Sequence, residues 1–313
     1  MVQIWTMGEL IVEIMRPEPN IPLYEAGTFL GPYPSGAPAI FIDAAARLGK
    51  KAGIIASVGD DDFGRCCTDR LENHGVDCRF VRRTADVSTG CAFVTYFDDG
   101  TRQFIFHMGN SAAADIAAPG PRDIPDGPGF FHVMGCSVMA HERMYREIVK
   151  AMRGFADKGY RVSFDPNIRP ELLQGRSMHD VAGPVMEICN VLLPGVDELL
   201  RLSGCDTAEA AAEKLFRNPA LEIIAMKKGS QGCQIFTRDG SFALGVYPTE
   251  VVDPTGAGDC FDAGFLCGLL DGLSPEGAGK LASAAASLNT SAFGPMEGDI
   301  SMERVLGLTG ALR

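Results

Sequence analysis

Short apolar runs, separated by glycine, proline and charged residues, divide the first third of the chain into predicted strands and a helix. Residues 2–14 alternate between apolar and polar positions and predict a strand, and residues 52–58 form the apolar run of a buried strand. Between them, apolar side chains at helical spacing predict a helix over residues 41–48. Residues 91–97 and 102–107 are rich in β-forming side chains and are joined by Asp-Asp-Gly-Thr, which predicts a hairpin.

From residue 130 onwards the pattern becomes a regular alternation of apolar strands and amphipathic helices. This rhythm is typical of a parallel sheet whose strands are connected by helices. The chain therefore predicts one α/β domain over residues 1–313, with a mostly parallel central sheet and helices on both faces. The predicted strands are 130–134, 160–164, 191–193 and 221–226, the predicted helices are 144–158, 208–216 and 278–293, and a second hairpin is predicted over 233–246.

The composition narrows the class of protein. Of the 313 residues, 46% are hydrophobic and 22% are charged, which is ample for a full core. No apolar run reaches the roughly 18 residues of a membrane helix, and the first residues lack the basic start of a signal peptide. The net charge of −12 argues against a nucleic-acid partner and against an anionic membrane. None of the ten cysteines has Cys-x-x-Cys spacing, so we expect reduced thiols in a cytoplasmic protein.

A glycine-rich turn leads directly into an apolar helix near the C-terminus. Gly256, Ala257 and Gly258 leave their backbone N–H groups unshielded, and the helix that follows presents the positive end of its dipole there. Such an end suits an anion such as a phosphate. Asp259 lies in the first turn of this helix, where it can take a proton from a hydroxyl that attacks the anion. The simpler alternative is that Asp259 only caps the helix.

The whole string at residues 253–265, Asp-Pro-Thr-Gly-Ala-Gly-Asp-Cys-Phe-Asp-Ala-Gly-Phe, closely resembles the C-terminal signature of the ribokinase/PfkB family of sugar kinases. The resemblance implies a ribokinase-like three-layer sandwich with a small β-sheet lid, built from segments at roughly 11–36 and 90–110. It implies ATP-dependent phosphorylation of a sugar, with Asp259 as the base and the preceding Gly-Ala-Gly as the anion hole. It further implies a homodimer that forms through the lid.

The same resemblance assigns residues to the nucleotide and to magnesium. Lys227, Gly229 and Gly232 match the strand-to-loop stretch of the family's ATP site, to which Gly256 and Gly258 of the anion hole also belong. A solvated lysine at a strand end is the alternative for Lys227.

Glu198 matches the acidic member of an Asn-x-x-Glu stretch that places Mg²⁺ and phosphates, largely through water. The asparagine of that stretch is Gly195 in this chain. A helix-start carboxylate, favoured by the dipole, is the alternative for Glu198.

A second cation, K⁺, stimulates many members of the family from a site beside the anion hole. The matching positions in this chain are Asp253, Thr255, Thr290 and Gly294. By this resemblance, a cation held by Asp253 would stiffen the Gly-Ala-Gly turn.

The sugar pocket is where the chain departs from the family. Glu13 stands where an aspartate is common, Gly36 keeps its place, and Ile40 replaces an asparagine that holds sugar hydroxyls. Asn110 belongs to a stretch that resembles the edge of the lid. Met108 occupies the position at which the keto-acid branch commonly has arginine.

One further stretch, Asp165-Pro166-Asn167-Ile168-Arg169, matches the fructokinase and 2-keto-3-deoxygluconate kinase branches. It places Arg169 near the substrate and the phosphates, where its guanidinium gives charge-assisted hydrogen bonds. A loop held by Asx turns is the alternative.

These matches favour a kinase for a neutral ketohexose of fructose or tagatose type. The alternatives are a kinase for the sugar acid 2-keto-3-deoxygluconate, then a nucleoside kinase, and then a sugar-sensing pseudokinase.

Overall fold

The computed structural model describes residues 2–99, 101–169, 172–173 and 176–310. The strands, in chain order, are β1 (Ile4–Met7), β2 (Ile11–Met15), β3 (Leu30–Ser35), β4 (Ala52–Gly59), β5 (Asp77–Thr84), β6 (Gly90–Tyr96), β7 (Arg102–His107), β8 (Gly129–Met134), β9 (Tyr160–Asp165), β10 (Cys189–Leu192), β11 (Ile223–Lys227), β12 (Cys233–Thr237) and β13 (Gly240–Leu244). The helices are α1 (Ala37–Arg47), α2 (Asp62–Asn73), α3 (Gly135–Ala140), α4 (Glu142–Asp157), α5 (Met178–Met186), α6 (Val196–Ser203), α7 (Ala208–Leu215), α8 (Ala257–Leu270), α9 (Pro275–Asn289) and α10 (Met302–Thr309).

Within the described residues, nine strands form a central sheet in the order β13-β12-β11-β10-β9-β8-β1-β4-β5. Its strands are parallel except at one edge, where β12 and β13 form the predicted second hairpin. Successive residues of β1 point to opposite faces, so that Ile4 joins a core with Phe265 of α8, and Trp5 joins a core with Phe155 of α4. Helices thus cover both faces, and the predicted three-layer α/β sandwich is confirmed.

A smaller sheet of four described strands, in the order β3-β2-β6-β7, stands apart from the central sheet. The predicted hairpin is present in it, because β6 and β7 pair antiparallel from Cys91 opposite His107 to Tyr96 opposite Arg102. Gly100, in the predicted turn of this hairpin, lies outside the described residues. We call this four-stranded sheet, with its connecting loops, the lid.

The prediction of one strand over residues 2–14 is wrong. The structure divides this stretch into β1 of the central sheet and β2 of the lid, with Gly8, Glu9 and Leu10 between them. The chain must pass close to its neighbours at this crossing, since a Cβ atom on Gly8 would lie 2.5 Å from the side chains of Pro38 and Ser137. Alternation continues through both strands, so the pattern alone does not reveal the change of sheet.

The long helix predicted over residues 278–293 is present as α9, but it begins earlier, at Pro275, and ends at Asn289. Small residues allow it to pack closely on α8, where a Cβ atom on Gly264 would lie only 2.7 Å from the Cα atom of Ala282. Because α9 ends at Asn289, Thr290 and Gly294 belong to a loop that turns back towards the start of α8.

Two predictions from composition can be compared with the structure. Among the described helices, none has both the length and the apolar character needed to cross a bilayer. Each of the ten cysteines is a free thiol.

Candidate active site

Asp259 lies in the first turn of α8, close to the carboxyl ends of the parallel strands. Gly256 caps this helix with a left-handed backbone (φ of 76°), which favours glycine. The N–H of Ala257 makes a long bond of 3.3 Å to the carbonyl of Pro254. No described residue accepts the N–H groups of Gly258 or Asp259. The structure therefore brings the predicted turn and the predicted base together at a helix end with free donors.

The Asp259 side chain is suited to accept a proton near neutral pH. It is 8% exposed, and burial, together with the nearby charge of Asp165, raises its pKa to about 7. Lys227 and Arg169 oppose this shift. A carboxyl group with a pKa near the working pH is an efficient general base.

Lys227 does not lie in solvent at the end of its strand. Its Nζ atom is 2.9 Å from Oδ2 of Asp165 and 3.1 Å from both carboxylate oxygens of Asp262. Burial alone would lower the pKa of Lys227, but the charges of Asp165 and Asp262 raise it. The alternative of a solvated lysine is therefore wrong, because the lysine ends in a buried ion-pair network below Gly258.

Asn167 connects this network to the predicted base. Its backbone N–H donates to Oδ1 of Asp165 at 3.1 Å, and its side-chain amide donates to Asp165 at 3.3 Å and to Oδ1 of Asp259 at 3.5 Å. Its own Oδ1 atom is buried without a partner among the described residues. That oxygen is free to accept a hydrogen bond from a substrate hydroxyl or from water.

A cavity of about 160 Å³ lies between the lid and the start of α8. Glu13, Gly36, Arg169 and Asp259 line it, as predicted for the substrate site. The remaining lining residues are Glu9, Ile11, Ala37, Ile40, Arg102, Phe104, Phe106, Met108, Cys136, Asn167, Leu172, Pro254, Thr255, Gly256 and Gly258.

Glu13 presents an unused oxygen to this cavity. Its Oε1 atom accepts a bond of 2.7 Å from Ser35, whereas Oε2 is buried without a partner among the described residues. Burial raises the pKa of Glu13 to about 7 against the effect of the Ser35 bond. The unpaired oxygen can accept a hydrogen bond from a sugar hydroxyl.

Contrary to the prediction, Asn110 is not among the residues that line the cavity containing Asp259. It is exposed and lines a neighbouring depression with Asp61 and His107, which shares Phe106 and Met108 with that cavity. The chain turns away from the cavity after Met108, which remains buried in its wall.

Sequence reasoning missed two charged residues of the cavity, Glu9 and Arg102. Glu9 is buried and accepts a bond of 2.5 Å from Ser137 at the start of α3. Arg102 lies on β7, two residues before Phe104, which shares its face of the strand. The period-2 alternation of the hairpin could have identified Arg102, because Phe104 and Phe106 point the same way.

Of the predicted nucleotide residues, Lys227, Gly229, Gly232 and Gly258 line two adjoining depressions on the other side of Gly258, whereas Gly256 lines only the cavity that contains Asp259. One contains Asp165, Glu198 and Lys227, and the other is apolar, with Val246 and Tyr247 in its wall. Gly229 lines both of them. The apolar depression suits a flat heterocycle, and the charged one suits a chain of phosphates.

The glycines of this region are required for different reasons. Gly229 has a positive φ of 57°, and a Cβ atom there would meet nothing within 4 Å, so its surroundings remain open to a ligand. A Cβ atom on Gly232 would lie 2.0 Å from the carbonyl oxygen of Leu244, so Gly232 permits the close approach of β13.

Glu198 begins α6 and holds two loops together. It accepts bonds of 2.7 Å from the backbone N–H groups of both Gly195 and Ile168. Burial and the charge of Asp165 raise its pKa. Among the described residues, no group of three or more His, Cys, Asp or Glu side chains forms a metal cage. A single carboxylate such as that of Glu198 fits Mg²⁺, which usually keeps several waters and binds through one or two carboxylates and substrate phosphates.

The four residues predicted to hold K⁺ lie close together, and we call this group, Asp253, Thr255, Thr290 and Gly294, the Asp253 corner. Oδ1 of Asp253 accepts bonds from the N–H of Thr255 at 2.9 Å and from its hydroxyl at 2.6 Å, and Oδ2 accepts the N–H of Gly294 at 2.9 Å. The carbonyl of Thr290 accepts two backbone N–H groups, from Val252 and Asp253. Gly294 thus donates to this corner, and Oδ2 of Asp253 keeps a lone pair for a cation.

Comparison with known proteins extends over nearly the whole chain. The model of the pfkB family carbohydrate kinases matches residues 5–301. The chain is 31% identical over 299 residues to 2-dehydro-3-deoxygluconokinase of Bacillus subtilis, across 93% of this chain and 90% of that protein. It is 31% identical over 260 residues to fructokinase-1 of Oryza sativa, across 82% and 79%. A protein of E. coli with the provisional name ribokinase II, solved with ATP and Mg²⁺, matches with a TM-score of 0.90 and 36% identity, across 98% of this chain and 99% of that one.

Proposed function

Because the chain belongs to the pfkB family of carbohydrate kinases and is a sugar kinase, we propose that it transfers the γ-phosphoryl group of ATP to a primary hydroxyl of a neutral ketohexose of fructose or tagatose type. The observation that carries this proposal is the position of Gly258, which lines the sugar-sized cavity and both nucleotide depressions. Donor and acceptor can therefore meet at one helix end, next to Asp259.

The reaction follows from the residues at that point. Asp259 takes the proton of the attacking hydroxyl, and the hydroxyl oxygen forms a bond to the γ-phosphorus as the bond to the β-phosphate oxygen breaks. The free N–H groups of Gly258 and Asp259 stabilise the negative charge that builds on the transferred group. Arg169 lines both the cavity and the charged depression, so its guanidinium lies beside the same group.

Magnesium, when bound with the nucleotide, neutralises charge on the β- and γ-phosphates. Glu198 and water would hold it at the charged depression. K⁺ would bind at the Asp253 corner.

The choice of a neutral sugar rests on the charges in the cavity. Glu9, Glu13 and Asp259 all line it, and Oε2 of Glu13 is an acceptor that would face an incoming carboxylate unfavourably. Ile40 and Met108 line the same cavity and give it an apolar side. A neutral ketose satisfies the free acceptor with a hydroxyl and requires no additional cation.

A sugar acid is the second candidate, and Arg102 is the observation that favours it. Its guanidinium is the cavity's cation on the lid, and a relative of this chain is named for the phosphorylation of 2-dehydro-3-deoxygluconate. Arg102 could pair with the carboxylate of such a substrate.

One assay separates the two candidates. We expect kcat/KM for fructose or tagatose to exceed that for 2-keto-3-deoxygluconate by tenfold or more, and Arg102→Met to change the ketose value little. A preference for the acid that Arg102→Met abolishes would overturn the neutral assignment. Absence of sugar-dependent ADP formation with all three sugars would contradict the ketohexose proposal and the sugar-acid alternative together.

We also propose that two copies associate through the lid. Leu30 on β3 and Ile105 on β7 are 38% and 44% exposed, and these strands form the two edges of the lid sheet. Ile105 points away from the cavity that Phe104 and Phe106 line. Analytical ultracentrifugation of Ile105→Glu beside the unaltered chain tests this, and a dimer that persists in the variant would contradict it.

A further inference from the structure

Helix α8 carries a second buried aspartate, one turn after the base, to which the reaction above gives no role. Asp262 is 0% exposed in the middle of the helix, and both of its carboxylate oxygens are 3.1 Å from Nζ of Lys227. A buried carboxylate is costly unless a cation and hydrogen bonds compensate it. Here the ammonium group of Lys227, shared with Asp165, compensates only part of that cost, because burial still raises the pKa of Asp262 well above its usual range.

The contacts of Asp262 form a closed path back to the base. Lys227 lies at the end of β11, and its ammonium reaches across to Asp165 at the end of β9 at 2.9 Å. Asp165 then accepts both N–H groups of Asn167, and the amide of Asn167 contacts Asp259. The path therefore leaves α8 at Asp262 and returns to α8 three residues earlier.

The ammonium group of Lys227 is fully used within this path. It has three N–H donors, and two carboxylates surround it at 2.9 to 3.1 Å. In this arrangement, Lys227 serves as the counter-ion that holds two carboxylates in place. Asp165 is one of these, and its orientation determines where the amide of Asn167 points.

We propose that Asp262 is a positioning residue for phosphoryl transfer: it anchors Lys227, and through Lys227 and Asp165 it sets the amide of Asn167 against the catalytic carboxylate of Asp259. This proposal rests on the proposed kinase reaction. Without the two carboxyl oxygens of Asp262, the ammonium of Lys227 moves towards Asp165 or towards the phosphates of ATP, and Asn167 loses its fixed support. A small displacement of a group beside the reacting atoms is enough to lower the rate strongly.

The test is a double-mutant cycle with Asp262→Asn and Lys227→Gln, measured as kcat, as KM for sugar and ATP, and as thermal midpoint. Asp262→Asn keeps the shape of the side chain and should lower kcat about tenfold while KM for the sugar stays within about twofold. The double variant should be no slower than Lys227→Gln alone, because both substitutions break the same path.

A matched control is Asp43→Asn on α1. Asp43 is 1% exposed and pairs with His74 at 2.6 Å and Arg47 at 3.7 Å, and neither partner lines the cavity. The substitution Asp43→Asn should lower the thermal midpoint and leave kcat unchanged. An equal loss of kcat in Asp43→Asn, or an unchanged kcat in Asp262→Asn, would overturn the proposal, as would additive effects in the cycle.

A second variant covers the case in which Asp262→Asn does not fold. Asp262→Leu replaces the carboxyl group by an apolar side chain of similar size and leaves Lys227 paired with Asp165, so no buried charge loses its counter-ion. We expect this variant to fold and to show at least the tenfold loss of kcat. Full activity in this variant would refute the positioning role. If the unaltered enzyme forms no ADP in response to sugar, the proposed kinase reaction itself is refuted.

Discussion

The hydroxyl of Tyr96, at the end of lid strand β6, donates a hydrogen bond to Oδ1 of Asp253 at 3.3 Å. It also contacts the hydroxyl of Thr255. Asp253 and Thr255 precede the Gly256–Gly258 turn, and Oδ2 of Asp253 accepts the N–H of Gly294 from the loop after α9. One tyrosine of the lid is therefore joined to the residues that hold the Gly256–Gly258 turn.

Tyr96→Phe removes only this hydroxyl and should lower kcat several-fold, because the turn loses one of its supports. The loss of a hydrogen bond to a charged partner corresponds to about 1.5–3 kcal/mol at most. Steady-state kinetics of Tyr96→Phe and Tyr24→Phe would be compared, since Tyr24 is a lid tyrosine that is 87% exposed. Equal kinetics in the two variants would show that the Tyr96 contact does not support the turn.

Asp259→Asn should keep the fold and nucleotide binding but lose turnover by about 10²–10⁴-fold, the usual contribution of a general base. Calorimetric titration with ATP provides the binding control, and a coupled ADP assay provides the rate. A loss of less than about tenfold would show that Asp259 is not the base.

The pH profile should follow the raised pKa of Asp259. Since the base must be ionised, log kcat/KM should rise with pH below about 7 and level off above it. Glu13 has a pKa of about 7 as well, so Glu13→Gln is the control. If the rising limb disappears in Glu13→Gln, the limb belongs to Glu13 and not to Asp259.

The same shift makes a prediction for stability. The pKa of Asp259 is raised from 3.8 to about 7 in the folded protein, so the folded state binds a proton more tightly than the unfolded chain does. This contribution is fully present below about pH 4 and is lost as the pH rises through 7. Asp259→Asn should therefore raise the thermal midpoint more at pH 8 than at pH 5. Calorimetric scans at the two pH values test this, and a larger increase at pH 5 would contradict it.

Activity should require Mg²⁺, and Glu198→Gln should raise the Mg²⁺ concentration that gives half of the maximal rate, because one negative charge beside the phosphates is lost. The control is Glu209→Gln, an exposed glutamate in the first turn of α7. An unchanged Mg²⁺ dependence in Glu198→Gln would remove Glu198 from the metal site.

Potassium should increase the rate if a cation supports the Asp253 corner. We expect faster turnover in K⁺ than in tetramethylammonium at the same ionic strength. The corner already holds itself together through Thr255, Gly294 and Tyr96, so we expect a stimulation of only a few-fold. Identical rates in the two salts would contradict a K⁺ site.

The sequence by itself determined the features whose residues are close together in the chain. Gly256, Gly258 and Asp259 form a turn and the helix that follows it, so their spacing alone places a carboxyl group beside free N–H donors. The rhythm of strands and helices likewise predicts the parallel sheet, since each connection is local. The hairpin of β6 and β7 follows from its own turn and alternation.

Only the tertiary structure decided which distant residues meet. Lys227, Asp165 and Asp262 come from two strands and a helix, and only the order of strands in the sheet brings their charges within 3.1 Å. Asn110 lies just beyond Met108 and lines a neighbouring depression, and only the folded arrangement shows which of the two hollows it borders. Side-chain pairing across a sheet depends on strand order and on the depth of burial, which periodicity along the chain does not contain.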